Sequence, residues 1–343
     1  MEALELYRSD PAYFRYRIPG MLVTDSGVLL TVCEARKEQS DWSMMDILLR
    51  RSTDGGKTFE DPIPLARGTE THPTVNNPVL MQDRRGRIHL LYCEDYAVMG
   101  GRVLHRISED DGLTWGDCRD ITASTMPTMR NAYAHGPGHG IRTRSGELVV
   151  PFWRVPKRYD SPVRSHGPSE IGTLWSADDG ETWHTGAVLR SSDGLMSPNE
   201  TEIAELEDGR IYLNTRLGAG LTYRGRAWSP DGHSAWERFE PDYALHDPQC
   251  FGAAAAGRMP DGTAWLFFAN CESKAGRKTV TVKGSRDGGE TWQLRRVIDA
   301  ARGGYVELAF DRTRSSLYVL YEEAAGAALH LVTLQESDLS PEQ

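Results

Sequence analysis

The sequence predicts an all-β fold, a six-bladed β-propeller of four-stranded antiparallel blades, on three observations. An eight-residue motif recurs along the chain, a second set of turn clusters interleaves with it, and no amphipathic helical stretch exceeds a turn or two. The motif S-x-D-x-G-x-T-W stands at 52–59 (STDGGKTF), 108–115 (SEDDGLTW), 176–183 (SADDGETW) and 285–292 (SRDGGETW), with a decayed copy at 229–236 (SPDGHSAW). The first residues lie 56, 68, 53 and 56 positions apart, a spacing that fits one blade-like unit per repeat. In each octet the Ser and Asp side chains are expected to cap a turn, Gly to supply positive φ, and Trp or Phe to pack between sheets. Calcium-binding loops are the weaker reading, because each octet has too few acids for a cage.

The second set comprises TDSG (24–27), DRRG (83–86), RSG (144–146), EDG (207–209), PDG (260–262) and DRTRSS (311–316). Apolar runs follow them: VLLTV, RIHLLY, ELVVPFW, RIYLN, TAWLFF and LYVLY. Asp, Gly and Ser clusters ahead of β-rich runs signal hairpins. Six equivalent hairpins imply six β-meander blades, and residues 1–343 read as one propeller domain.

Composition narrows the function. The net charge of −10 argues against a nucleic-acid partner, which requires a basic surface. Cys33, Cys93, Cys118, Cys250 and Cys271 form no CxxC pair, so buried free thiols are expected rather than a disulfide framework or zinc site. No stretch of 18 apolar residues occurs, so no membrane span is expected. The opening EALELYRSDP has neither a basic n-region nor an apolar h-region, and a cytoplasmic location is the corresponding expectation unless a leader has been removed.

Several hairpins carry charges where a strand interior should be apolar. Counting outward equally from the turns sets Arg17 opposite Glu34, Glu200 opposite Arg216, and Tyr305 opposite Glu322. Opposed residues share a sheet face and touch, although a bulge shifts register by one. If the hairpins are equivalent, all six side chains meet at one end of the propeller near its axis. Arg277, ahead of the run KTVTV, is a further candidate for that end. Three guanidiniums tolerate one another around an anion, and their planar forks suit a carboxylate. Glu34 and Glu322 are expected to orient them. In SDWSMMD, Asp41 lies in a loop and can reach a leaving group, whereas Asp46 opens a strand and reads as structural.

These residues resemble those of the exo-sialidases, retaining glycoside hydrolases with a tyrosine nucleophile. The resemblance runs from RIP (17–19) through EAR (34–36), SDWSMMDILLRRS, GPGHGI (136–141), NETEIAEL (199–206), LNTR (213–216) and DPQCFG (247–252) to Tyr305 and VLYE (319–322). The octets correspond to that family's Asp-boxes. The resemblance implies that Arg17, Arg216 and Arg277 grip the substrate's carboxylate, that Glu322 buttresses Arg17, and that Glu34 and Arg36 complete the binding set. It further implies Asp41 as acid/base, Tyr305 as nucleophile and Glu200 as its base. A neutral tyrosine suits an anomeric carbon that bears a carboxylate, because an anionic nucleophile would be repelled. The implied partner is a glycan ending in sialic acid or another acidic 2-keto sugar such as Kdn or Kdo, with no metal or cofactor. Two departures stand out: Tyr305 sits in GGYVEL, where a serine is usual after the tyrosine, and Lys278 follows Arg277. A carbohydrate-binding propeller without turnover and a polysaccharide lyase are the more distant readings. The sequence sets neither oligomeric state nor the pocket for the C5 substituent. His72, His135 and His139 read as structural hydrogen-bonders.

Overall fold

A computed structural model describes residues 2–96, 101–156, 167–190, 196–323 and 326–339. Six sheets surround an axis. The first blade consists of β2 (Arg15–Val23), β3 (Leu29–Arg36), β4 (Met45–Ser52) and β5 (Ile63–Arg67), in that spatial order. The second repeats it with β6 (Val75–Gln82), β7 (Ile88–Glu94), β8 (Arg102–Ser108) and β9 (Arg119–Asp120). The fourth blade uses β16 (Pro198–Glu205), β17 (Ile211–Leu217), β18 (Tyr223–Ser229) and β19 (Glu237–His246). The fifth uses β20 (Ala253–Arg258), β21 (Ala264–Cys271), β22 (Val280–Ser285) and β23 (Leu294–Asp299). In the sixth, β24 (Val306–Asp311), β25 (Ser316–Glu323) and β26 (Ala328–Leu334) are completed by β1 (Leu4–Arg8) from the other end of the chain.

That closure explains why six blades carry five octets. Each octet forms the turn between the third and fourth strands of a blade. In the sixth blade those strands, β26 and β1, are not joined by a turn at all. The first strands ring the axis: β2 contacts β6 and β24, and β20 contacts β16 and β24.

The third blade departs from the pattern. Its first strand is split into β10 (Arg130–His135) and β12 (Ile141–Arg142), both pairing with β13 (Leu148–Pro156), which continues to β14 (Glu170–Ser176) and β15 (His184–Leu189). Between the two pieces, β11 (Gly138–His139) leaves the blade and pairs in parallel with β6. The GPGHG segment therefore turns inward at the axis, which hairpin counting did not anticipate.

The octets behave as turn caps. Asp54 Oδ1 accepts the backbone N–H groups of Lys57 and Thr58, both at 3.0 Å, and its Oδ2 accepts the Thr58 hydroxyl at 2.6 Å. Ser52 Oγ accepts the Gly56 N–H at 2.9 Å. The copies at Asp110, Asp178 and Asp287 repeat these bonds. The decayed copy still closes, with Gly232 N–H on Ser229 Oγ at 2.8 Å. The carboxylate oxygens are thus committed to the turn. Trp183 is buried and meets His105 of the second blade edge-on at 5.6 Å.

These bonds favour the ionised carboxyl. Asp178 is carried down to about 2 by its Thr182 and Ser176 bonds, against burial, which works the other way. A depressed folded-state pKa means that the stabilisation is present above the unfolded value, near 4, and is lost as pH falls through about 2. Asp178→Asn is accordingly expected to flatten the fall of melting temperature between pH 4 and pH 2. Parallel curves for variant and parent would contradict this.

Four of the five cysteines are buried free thiols, and Cys118 is exposed. Among the described residues no helix is long and apolar enough to cross a membrane.

Candidate active site

Strands and loops bring most of the expected groups to one mouth. Arg17 pairs in register with Glu34, but through a bulge: pairing shifts between Arg17 and Gly20. Inside that bulge Ile18 is held at φ +56°, an uncommon conformation for a β-branched residue that stores backbone strain. The strain redirects Arg17. Its guanidinium does not meet Glu34, as opposition in the hairpin predicts, but reaches across the propeller closure to Glu322. Nε donates to Oε1 at 3.1 Å and Nη2 to Oε2 at 3.2 Å.

Glu322 is fully buried and collects two more donors, Ile18 N–H at 3.0 Å and Tyr305 N–H at 3.1 Å. One carboxylate therefore ties the RIP bulge to the tyrosine segment. The close approach needs Gly304, where a Cβ would stand 2.6 Å from the Glu322 Cβ. Burial works against the Arg17 charge, but Glu322, Tyr305 and Asp41 outweigh it and raise its pKa.

Glu34 instead holds Arg36, accepting from Nε at 2.9 Å and Nη2 at 2.6 Å, and it also accepts the Asn77 N–H at 2.8 Å. Glu34 is completely buried beneath these partners, so it lies below the mouth rather than in it. Arg36, itself nearly buried, donates onward through Nη1 to Asp41. Asp41 lies in the loop between β3 and β4, with its side chain 43% exposed and Arg17 Nη1 3.6 Å away. Asp46 is the structural one: it is buried on β4 and accepts the Tyr13 hydroxyl at 2.6 Å.

The other two expected contacts are present. Arg216 on β17 donates to Glu200 on β16 at 2.8 Å. Tyr305, immediately before β24, continues the β24–β25 register opposite Glu322. Its hydroxyl donates to Glu200 Oε1 and accepts from Arg216 Nη1 at 3.4 Å. Arg17 lies 4.8 Å from the centre of the Tyr305 ring and Arg277 5.3 Å. Arg277 belongs to the loop before β22, not to the strand, and donates to the Gln249 carbonyl at 3.4 Å. Phe251, from the DPQCFG stretch, packs against the Tyr305 ring at 5.5 Å.

The electrostatics divide the pair. Burial and then the Glu200 carboxylate hold the Tyr305 phenol well above its ordinary value, against the pull of the three arginines. For Glu200, burial is outweighed by Arg216, the Tyr305 hydroxyl and Arg277, and its pKa falls. At neutral pH the arrangement is a neutral phenol hydrogen-bonded to an ionised carboxylate, surrounded by three guanidiniums.

One feature of the mouth was not singled out in the sequence. Trp42, next to Asp41, stacks on Tyr96 at 5.4 Å, and Tyr96 meets Trp153 edge-on at 6.0 Å. Trp42 stood in the SDWSMMD stretch, but nothing local marks Tyr96 and Trp153 as its neighbours. They come from the second and third blades. His135 is buried behind this region with Cys93 Sγ 3.8 Å from its Nδ1, and His72 pairs with Asp95 at 2.7 Å.

Comparison with known proteins places the chain in a family. The BNR repeat-like domain family matches residues 69–319. A sialidase of Micromonospora viridifaciens is 31% identical over 88% of this chain and 49% of its own length. A Bacteroides fragilis sialidase is 29% identical over 81% of this chain and 54% of its own. The chain thus spans about half the length of these relatives. Among solved structures, the Hadza microbial sialidase Hz136 superposes with a TM-score of 0.84 at 26% identity, covering 96% of this chain and 67% of that one. An intramolecular trans-sialidase from Ruminococcus gnavus shares the fold at 15% identity, with a TM-score of 0.82. With the repeat, the closed propeller and the matched length in agreement, the chain belongs to the BNR repeat-like domain family as a sialidase-type, Asp-box-bearing propeller.

Proposed function

We propose that the protein is an exo-α-sialidase that releases terminal sialic acid with retention through a covalent tyrosyl intermediate. The observation that carries this reading is the Tyr305 hydroxyl bonded to Glu200 within reach of Arg17, Arg216 and Arg277. The sialidase relatives support the substrate class.

In this reading the guanidiniums hold the sugar carboxylate and set the anomeric carbon beside the phenol. Tyr305 Oη attacks that carbon as its proton passes to Glu200, and Asp41 protonates the departing glycosidic oxygen. Asp41, now ionised, takes a proton from water. The hydroxide so formed displaces the tyrosyl oxygen, which recovers its proton from Glu200. The role of Arg36 is to hold Asp41 in the loop while Glu34 fixes Arg36. Asp41's exposure leaves it open to the aglycone.

The arginines read the carboxylate, which sialic acid, Kdn and Kdo share. Methylumbelliferyl glycosides of all three therefore form the test. Release from the sialic acid glycoside is expected to be fastest, and the first product seen by proton NMR to be the α anomer. No release from any of them would leave a carbohydrate-binding propeller, and an inverted first product would exclude the tyrosyl intermediate. An unsaturated uronate released from an acidic polysaccharide would establish a lyase.

A further inference from the structure

The inward excursion of the third blade builds a second polar cluster that the proposed chemistry does not use. Glu202 lies two residues along β16 from Glu200, and Glu307 two residues along from Tyr305. Alternate strand residues share a face, so these glutamates sit one layer, roughly 7 Å, beneath the tyrosine–glutamate pair. His139, carried in on β11, stands between them. Its Nδ1 is 2.7 Å from Glu307 Oε1, and its Nε2 is 3.5 Å from Glu202 Oε2.

Both carboxylates are fully buried, yet each is half satisfied. Glu202 Oε1 accepts the His139 N–H at 3.1 Å, and Glu307 Oε1 accepts the Leu308 N–H at 2.9 Å. Glu202 Oε2 and Glu307 Oε2 are buried and receive no hydrogen bond. A single imidazole, even protonated, offsets one of two buried negative charges, and an unpaired buried carboxylate is costly. A glycine is needed for the two carboxylates to approach here. Gly138 is at φ +109°, and a Cβ there would collide with Glu307 Oε2 and Glu202 Oε1.

We propose that His139, Glu202 and Glu307 form an axial binding site for a divalent first-row transition cation, Zn2+ or Mn2+. One ring nitrogen and one oxygen from each carboxylate lie within 4.8 Å of one another, a set that closes on an ion by small side-chain movements. A mixed nitrogen and carboxylate donor set with three protein ligands matches such cations and leaves positions for water. His139 also lines a cavity of about 530 Å³. The cavity is walled by Val23, Gln82, Ile203, Ala255 and Phe310 from the inner strands, toward the turn end of the propeller. Burial pushes both glutamates above the ordinary range, and against burial the two carboxylates raise His139 to about 9.

The test uses the full, tag-free chain stripped with EDTA and returned to chelator-free buffer. Because His72, Glu94 and Asp95 form an exposed cluster that also binds metal in principle, the titrations are run in parallel on His72→Ala. Zn2+ calorimetry is expected to give one equivalent in both proteins. Glu202→Gln and Glu307→Gln are each expected to weaken it at least about tenfold. Pulsed EPR of Mn2+ bound to His72→Ala, which needs no change in the cluster, is expected to show coupling to an imidazole nitrogen. The proposal is overturned if no equivalent binds, if His72→Ala alone abolishes binding, or if that imidazole coupling is missing.

Discussion

Tyr305→Phe should lower kcat by about 10³-fold or more while leaving KM for a sialoside within a few-fold of the parent. The substitution removes only the hydroxyl. The ring keeps its contact with Phe251 and its place beneath Arg17 and Arg277. On the proposed mechanism the carboxylate grip therefore survives, and what disappears is the proposed nucleophile. Glu200→Gln tests the same unit from the other side. It keeps the shape but removes the charge that draws the phenolic proton, and a loss of about 10²–10⁴-fold in kcat is expected. Because the two act through one hydrogen bond, the double variant should be scarcely worse than Tyr305→Phe alone. Steady-state kinetics on a methylumbelliferyl sialoside reads all three. Strictly additive losses would mean that Glu200 acts independently of the tyrosine.

The largest effect on stability is expected at Glu322. Its carboxylate accepts from Arg17 Nε and Nη2 and from the backbone of Ile18 and Tyr305. Glu322→Ala leaves a buried guanidinium with only the more distant Asp41, and two backbone donors without an acceptor. Breaking one partner of a buried pair costs about 3–5 kcal/mol, readable in urea unfolding. Arg17→Met combined with Glu322→Leu removes both charges at similar volume and should recover much of that loss. It should not recover substrate binding, because the grip on the sugar carboxylate has gone. A double variant as unstable as Glu322→Ala would show that the backbone donors, rather than the ion pair, dominate.

The blade architecture was legible because its signals are local. Asp54 caps a turn with atoms three and four residues away, the DRTRSS hairpin pairs as equal counting requires, and the EDG hairpin does so as far as Thr201 opposite Thr215, before its register shifts toward Pro198. The first hairpin is more instructive. Arg17 does sit opposite Glu34, but near the turn the ladder runs Val23 to Leu29, one residue off equal counting, and the bulge at Ile18 restores it. The expected pair of residues was right, while the ion pair inferred from it was not. Opposition gives neighbouring backbones. The direction a long side chain takes depends on the strain at Ile18 and on where a better acceptor lies.

What the sequence determined by itself was the number of blades, the turn chemistry, and, Glu34 apart, the set of arginines, carboxylates and tyrosine that gathers at one mouth. Period, turn residues and strand alternation are short-range rules, and they act without knowledge of the rest of the chain. The tertiary structure decided that Glu34 serves Arg36 rather than Arg17. Glu322 reaches Arg17 across 305 positions of sequence because the sixth blade closes beside the first. The same closure left Glu34 to Arg36 and gathered Trp42, Tyr96 and Trp153 from three blades. It also set His139 between Glu202 and Glu307 at the axis. Apart from Glu34–Arg36, which lies within β3, these contacts join residues of different blades, and their partners are chosen by how the ring packs, which no local spacing encodes.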